Sequence, residues 1–164
     1  MDADTGRIVA TALTGHDVDD GSRVGPLLDQ VDGPVASFTG DGAYDQEAYD
    51  QEGVYSEVAE RHPEAAVIVP PRSGAVPSGT AETAPTRRDQ HLETIARRGR
   101  LGWQKASGYN WRALVEADVS RFKRVIGSAL RSRTDGRQET EVAIAVDVLN
   151  RVLDLGRPEY VRIA

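Results

Sequence analysis

Ala65-Ala66-Val67-Ile68-Val69, closed by Pro70-Pro71, is the stretch on which the fold turns. A short run of small and β-branched apolar residues with no polar alternation reads as a strand covered on both faces, the habit of parallel sheets. Proline cannot donate to a strand ladder and stops it. Upstream, residues from about Glu47 to Arg61 read as a helix with Val54, Tyr55, Val58 and Ala59 turned inward, and Val35-Ala36-Ser37-Phe38-Thr39 reads as another short strand. Further upstream, Asp17 or Asp19 caps a helix carrying Val24, Leu27, Leu28 and Val31, which Gly33-Pro34 ends. Arg7 to Leu13 reads as a strand behind the turn Asp2-Ala3-Asp4-Thr5-Gly6. Strand, helix, strand, helix, strand is the pattern of an α/β sheet.

Downstream of the decisive strand, residues 70–90 are rich in Pro, Gly, Ser and Thr and carry no periodicity, so a flexible loop is expected there. Two helices are expected to close the chain. One runs from about Asn110 to Leu130 and buries Val115, Val119, Phe122 and Ile126. The other runs from an Asp135/Gln138 capping box to Leu155, with Val142, Ala145, Val146, Leu149, Val152 and Leu153 inward, and stops at Gly156 ahead of Pro158.

The net charge of −6 conceals an asymmetry. Residues 1–69 hold 3 Lys/Arg against 15 Asp/Glu, a net −12, whereas residues 70–164 hold 17 against 11, a net +6. A polyanion would therefore meet the C-terminal part. Arginine outnumbers lysine 18 to 2, which suits forked phosphate contacts and equally reflects a GC-rich genome. The chain has no cysteine and three scattered histidines, His16, His62 and His91, which leaves oxygen as the ligand for any metal. No apolar run is long enough to cross a bilayer, and MDADTGRIVA lacks the basic start and apolar stretch of a signal peptide, so a soluble, intracellular protein is expected.

The chemistry-bearing residues lie on either side of the decisive strand. Asp41 sits between two glycines at the expected C-terminal end of the 35–39 strand, where open α/β sheets bind ligands, although Gly-Asp-Gly is also an ordinary turn. Tyr109, Arg112, Glu116 and Lys123 would span an arc of roughly 60° on an α-helix at 100° per residue. A carboxylate there can hold a hard cation while Tyr, Arg and Lys grip phosphate oxygens; the plainer reading is an exposed helix face laced with ion pairs. Arg121, Arg124, Arg131 and Arg133 extend the basic footprint, and Arg87-Arg88 and Arg97-Arg98-Gly99-Arg100 add clusters that track DNA or do nothing specific. Trp103 and Trp111 either stack on an unpaired base or pack in a core.

The spacing Y-x2-R-x3-E-x6-K, filled here by Tyr109, Arg112, Glu116 and Lys123, resembles that of the insertion-sequence DDE transposases, most closely the insertion-sequence-five branch. Asp41-Gly42-Ala43-Tyr44-Asp45 is similar to the segment bearing that family's second catalytic Asp. Asp4 to Val9, the run Tyr109 to Arg133 and the terminal Ala143 to Ile163 extend the likeness over essentially the whole chain. The resemblance implies an RNase H-like α/β core forming a single partial catalytic domain over residues 1–164. It implies Asp41 and Glu116 as catalytic, metal-binding acids that converge on two Mg²⁺ (or Mn²⁺) ions. It implies DNA contacts from Tyr109, Arg112, Lys123, Arg121, Arg124, Arg131, Arg133 and Trp111.

The first catalytic Asp of the family has no match in this chain, because the family places it before the hairpin whose turn corresponds to Asp2 to Gly6. The expectation is therefore a C-terminal transposase piece with an N-terminally truncated sheet flanked by helices, inactive alone. Its partners would be double-stranded DNA at transposon ends and a second copy or an N-terminal transposase half, in the bacterial cytoplasm at the nucleoid. The alternatives are a non-enzymatic remnant that binds DNA or transposase and modulates transposition, and an unrelated acidic α/β binding module.

Overall fold

The computed structural model describes residues 1–15, 17–19, 21–42 and 51–156. Ala43-Tyr44-Asp45, the expected helix start near Glu47, and the tail with Pro158 and Ile163 lie outside them. The chain divides into two compact units, His16–Ala113 and Met1–Gly15 with Leu114–Ala164.

The His16–Ala113 unit is built around the decisive strand. Strand β1 (Ser37–Thr39) pairs in parallel with β2 (Ala66–Ile68), Phe38 opposite Val67, and α2 (Gln51–Arg61) connects them. A strand–helix–strand unit with a parallel pair is the α/β arrangement expected from the apolar run. Ahead of it, the carboxylate of Asp19 accepts the Ser22 N–H at 3.0 Å and so starts a 3-10 turn, Gly21–Arg23, that leads into α1 (Val24–Leu28). Val24 and Leu28 of α1, Val54 and Val58 of α2, and Ala65, Val67 and Val69 form the core, with Val35, Phe38 and Tyr55 packed against it. Ala59, expected inward, is exposed, one turn beyond Tyr55 and off the Val54/Val58 stripe.

Past Pro70-Pro71, both buried, residues 72–86 contain turns and no helix or strand. Helix α3 (Arg87–Ser107) then starts three residues before the expected end of the loop at 90, over a stretch whose sequence does not mark it as a helix. Thr86 caps it in a reciprocal box with Asp89, and Gly99, at φ +70°, breaks its run in the middle. Buried Trp103 ties α3 to β2. Its indole N–H donates to His91 Nδ1 at 2.9 Å, and His91 Nε2 lies 2.9 Å from the Val67 carbonyl. Because an indole N–H only donates, Nδ1 accepts and the ring proton sits on Nε2, donating to Val67. Helix α3 ends at Gly108, whose φ of +78° turns the chain into a 3-10 turn, Tyr109–Arg112, that packs against β1.

In the other unit, α4 (Ala113–Val125, of which all but Ala113 belongs here) and α5 (Asp135–Asp154) carry the structure. Residues 7–13, expected as a strand, form none; instead the Asn150 side chain brackets Ile8, accepting its N–H and donating to its carbonyl, each at 2.9 Å. An amide side chain thus stands where a neighbouring strand would pair. The turn at Asp2 to Gly6 is present, its Asp2 carboxylate accepting from the Asp4 and Thr5 N–H groups, with Gly6 at φ +70°. Arg7 pairs with Asp154. Helix α4 ends at Val125 rather than near Leu130, and its stripe is not buried: Val115 is 42% and Val119 49% exposed, with Phe122 and Ile126 half-covered. Thr134, not Asp135, holds the N-cap position of α5 and makes no side-chain cap bond, and Gln138 donates to the Ser132 carbonyl at 3.0 Å, so the expected capping box does not form. Of the expected inward residues of α5, Ala145 and Leu149 are buried and Val152 is exposed.

Candidate functional site

Asp41 follows β1 directly. The Gly40 N–H donates to the Ile68 carbonyl at 3.1 Å and carries the ladder one residue past the strand, so the Asp41 side chain departs from the sheet's C-terminal end. Across it, Arg112 Nη2 donates to Asp41 Oδ2 at 3.3 Å. The 3-10 turn is what sets Arg112 there. With three residues per turn, Tyr109 and Arg112 are eclipsed on one side, a closer alignment than the α-helical arc expected for them. The Tyr109 ring lies 5.3 Å from buried Trp103, at a tilt of 37°, and so seats the turn on the core. The sequence thus brings together Asp41, Arg112 and Tyr109 in this unit.

Glu116 and Lys123 belong to the other unit, seven residues apart on exposed faces of α4, which returns them to nearly the same side of that helix. Arg124 on α4 and Arg131 and Arg133 after it are also exposed. The loop bearing these last two is held by Glu141, whose carboxylate accepts the Arg131 and Ser132 N–H groups at 2.8 to 3.1 Å. Those bonds, the one from Arg131 foremost, hold the Glu141 carboxyl below the ordinary carboxylate range. Arg121 differs from its basic neighbours. It pairs with Asp118 at 3.1 Å, and both side chains are mostly covered, at 22% and 15% exposed. A guanidinium so held contributes to packing more than to a surface footprint.

The two tryptophans separate cleanly. Trp103 is core, whereas Trp111 is 54% exposed beside Arg112 in the 3-10 turn. Among the arginines after residue 86, Arg88 donates to the Val76 carbonyl, Arg100 to the Pro71 carbonyl, and Arg97 pairs with Glu93. Sequence reading missed His91 and Asp89. The signal for the second was the Thr86-x-x-Asp89 spacing; His91 gave none, since its partners are a carbonyl 24 residues upstream and Trp103.

A carboxylate beside a guanidinium does not by itself suit a hard cation, because the arginine takes oxygen lone pairs and repels the ion. Among the described residues no group of three or more His, Asp or Glu is arranged to hold a metal, and no helix is long and apolar enough to cross a membrane. No protein-family model matches the chain, and no solved structure matches it.

Proposed function

We propose that this chain is part of the catalytic domain of a DDE transposase with an RNase H-like core, cleaving and joining DNA strands at transposon ends when the domain is complete. The reading rests on one observation above the rest. Tyr109, Arg112, Glu116 and Lys123 fill the family's four-letter spacing without a gap. The position of Asp41 after β1, with Arg112 upon it, supports the same reading, since the crevice beyond the C-terminal ends of parallel strands is where such folds place their chemistry.

In this reading Asp41 and Glu116 are the second and third acids. Two Mg²⁺ or Mn²⁺ ions would supply activation of the attacking hydroxyl and stabilisation of the leaving oxygen. Arg112 and Lys123 hold phosphate oxygens without reading bases, and exposed Trp111 offers an apolar plane to an unpaired base. Tyr109 positions Arg112 through its seat on Trp103. The family's first acid has no counterpart here, so the chain alone is expected to leave plasmid DNA intact. Adding an N-terminal transposase segment that carries this acid should restore Mn²⁺-dependent nicking; nicking by the chain alone, abolished by Glu116→Gln, would refute the incompleteness.

A second reading has its own support. The Asp41–Arg112 pair already engages the carboxylate, as in a module that binds DNA or a transposase without cutting. Titrating Mn²⁺ against the chain separates the two, because that reading requires no binding at millimolar metal.

A further inference from the structure

Helix α5 packs only part of its apolar surface. Ala145, Leu149 and Asn150 are buried, and Asn150 holds Ile8. Beside them runs a second stripe, Ile144, Val148, Val152 and Leu155, spaced at i, i+4, i+8 and i+11, which at 100° per residue falls within an arc of roughly 80°. All four are exposed, Ile144 at 60% and Leu155 at 78%. The stripe starts after Glu141, whose carboxylate is turned to the Arg131 and Ser132 N–H groups. Four aliphatic side chains in line on one helix form a contiguous apolar strip of the kind that protein contacts cover.

The charges beside the strip specify what covers it. On the side away from the buried residues α5 carries Asp147, Arg151 and Asp154. Arg7 pairs with Asp154, whereas no ion pair among the described residues engages Asp147 or Arg151. When two copies of one helix pack antiparallel about a two-fold axis, each flank meets the same flank of the other copy, and contacts are reciprocal. Asp147 then faces Arg151 of the second copy, and Arg151 faces its Asp147. This sets the axis at the level of Leu149. The middle of the Ile144–Leu155 stripe falls within one residue of that level, so a single axis satisfies both the charges and the apolar side chains. A parallel pair would instead set the charged flank against the side that holds buried Ala145 and Leu149 and leave the charges unmatched. A shallow recess of about 420 Å³ between Arg7 and α5, lined by Asp147, Val148, Arg151 and Asp154, lies on this flank and has room for the incoming guanidinium beside two carboxylates.

We propose that α5 is a self-association surface, pairing antiparallel with α5 of a second copy of this chain through Ile144, Val148, Val152 and Leu155 and two reciprocal Asp147–Arg151 ion pairs. The proposal rests on this helix and not on the transposase reading.

Sedimentation equilibrium of the full chain over about 1 to 500 µM tests it, and the expected result is a reversible dimer with a Kd below about 100 µM. Val148→Glu, at an exposed position, should weaken the dimer at least about tenfold with the helical circular dichroism unchanged. Asp147→Arg and Arg151→Asp should each weaken it about tenfold or more, and the double variant should return to within about threefold of wild type, because its reversed pairs are again reciprocal. The chain has no cysteine, so single cysteines report the orientation. Under mild oxidant Val148→Cys should cross-link to itself, whereas Leu155→Cys should not, since antiparallel packing sets the two copies of that position about 18 Å apart along the helix. A monomer throughout the concentration range, assembly beyond two copies, association indifferent to Val148→Glu or not restored in the double variant, or self-cross-linking of Leu155→Cys would overturn the proposal.

Discussion

Arg112 donates to Asp41 across 3.3 Å, closing a separation of 71 residues and fixing the 3-10 turn against the end of β1. Both side chains are roughly a third exposed, at 32% and 40%, so solvent screens the pair and its contribution to stability is under about 1 kcal/mol. Arg112→Ala is therefore expected to shift the urea midpoint little while weakening DNA binding. A loss of several kcal/mol would show that the pair is structural.

Trp103 and His91 tie α3 to β2. Trp103→Ala removes a fully buried indole and is expected to cost roughly 3–5 kcal/mol, read from the urea midpoint. Trp103→Phe keeps most of the volume but leaves His91 Nδ1 without its donor, at about 1–3 kcal/mol.

The same pair makes the unit sensitive to acid. Burial first, then Arg87, push His91 below its ordinary 6.5, against an opposing effect of the Val67 carbonyl. With the folded value lowered, the unfolded chain binds the proton more readily. Stability is thus complete above 6.5 and falls as pH drops below it toward the folded value. An NMR titration of the His91 ring should give a midpoint below 6.5; a midpoint above it would contradict the Nε2-protonated geometry.

Asp89 acts in the same direction at far lower pH. Burial pushes its carboxyl up, but four hydrogen bonds from Ser78 and Thr86 overcome this and hold it at about 2 against 3.8. It contributes about 2 kcal/mol that is present above pH 3.8 and lost as pH falls through 2. Asp89→Asn should lower stability at pH 7 by a similar amount and remove this part of the acid transition in urea melts. An unchanged acid limb would contradict this.

The basic residues of α4 are expected to divide in a salt titration of DNA binding. Removing Lys123 or Arg124, both exposed, should reduce the slope of log K against log salt by about 1 each, as one phosphate contact is lost. Arg121→Ala should leave the slope unchanged and lower stability instead, because its guanidinium is covered and paired with Asp118. Equal slope losses at all three positions would contradict this division.

The parallel pair was legible because Val67-Ile68-Val69 is an unbroken apolar run, and Asp41 followed from its place after the partner strand. Helix α3 was not, since residues 87–107 are arginine-rich, hold Gly99 and Gly102, and bury only Asp89 and Trp103. The Val115/Val119 stripe shows a different limit. Periodicity tells which residues share a helix face and nothing about what covers it, and here both are exposed. The Ile8–Asn150 bracket joins positions 142 residues apart and leaves no local trace. Spacing singled out Arg112 as a candidate but not its 3-10 turn, which follows Gly108 at positive φ.

The central claim is that Asp41 and Glu116 are both catalytic acids of DNA strand cleavage. Its most direct test is the rate of supercoiled plasmid nicking in Mn²⁺ by the chain supplemented with an N-terminal transposase segment, compared with Asp41→Asn and Glu116→Gln. The account expects nicking in the supplemented wild type and a loss of about a hundredfold or more in each variant. Nicking that survives either substitution, in protein that remains folded, would contradict it.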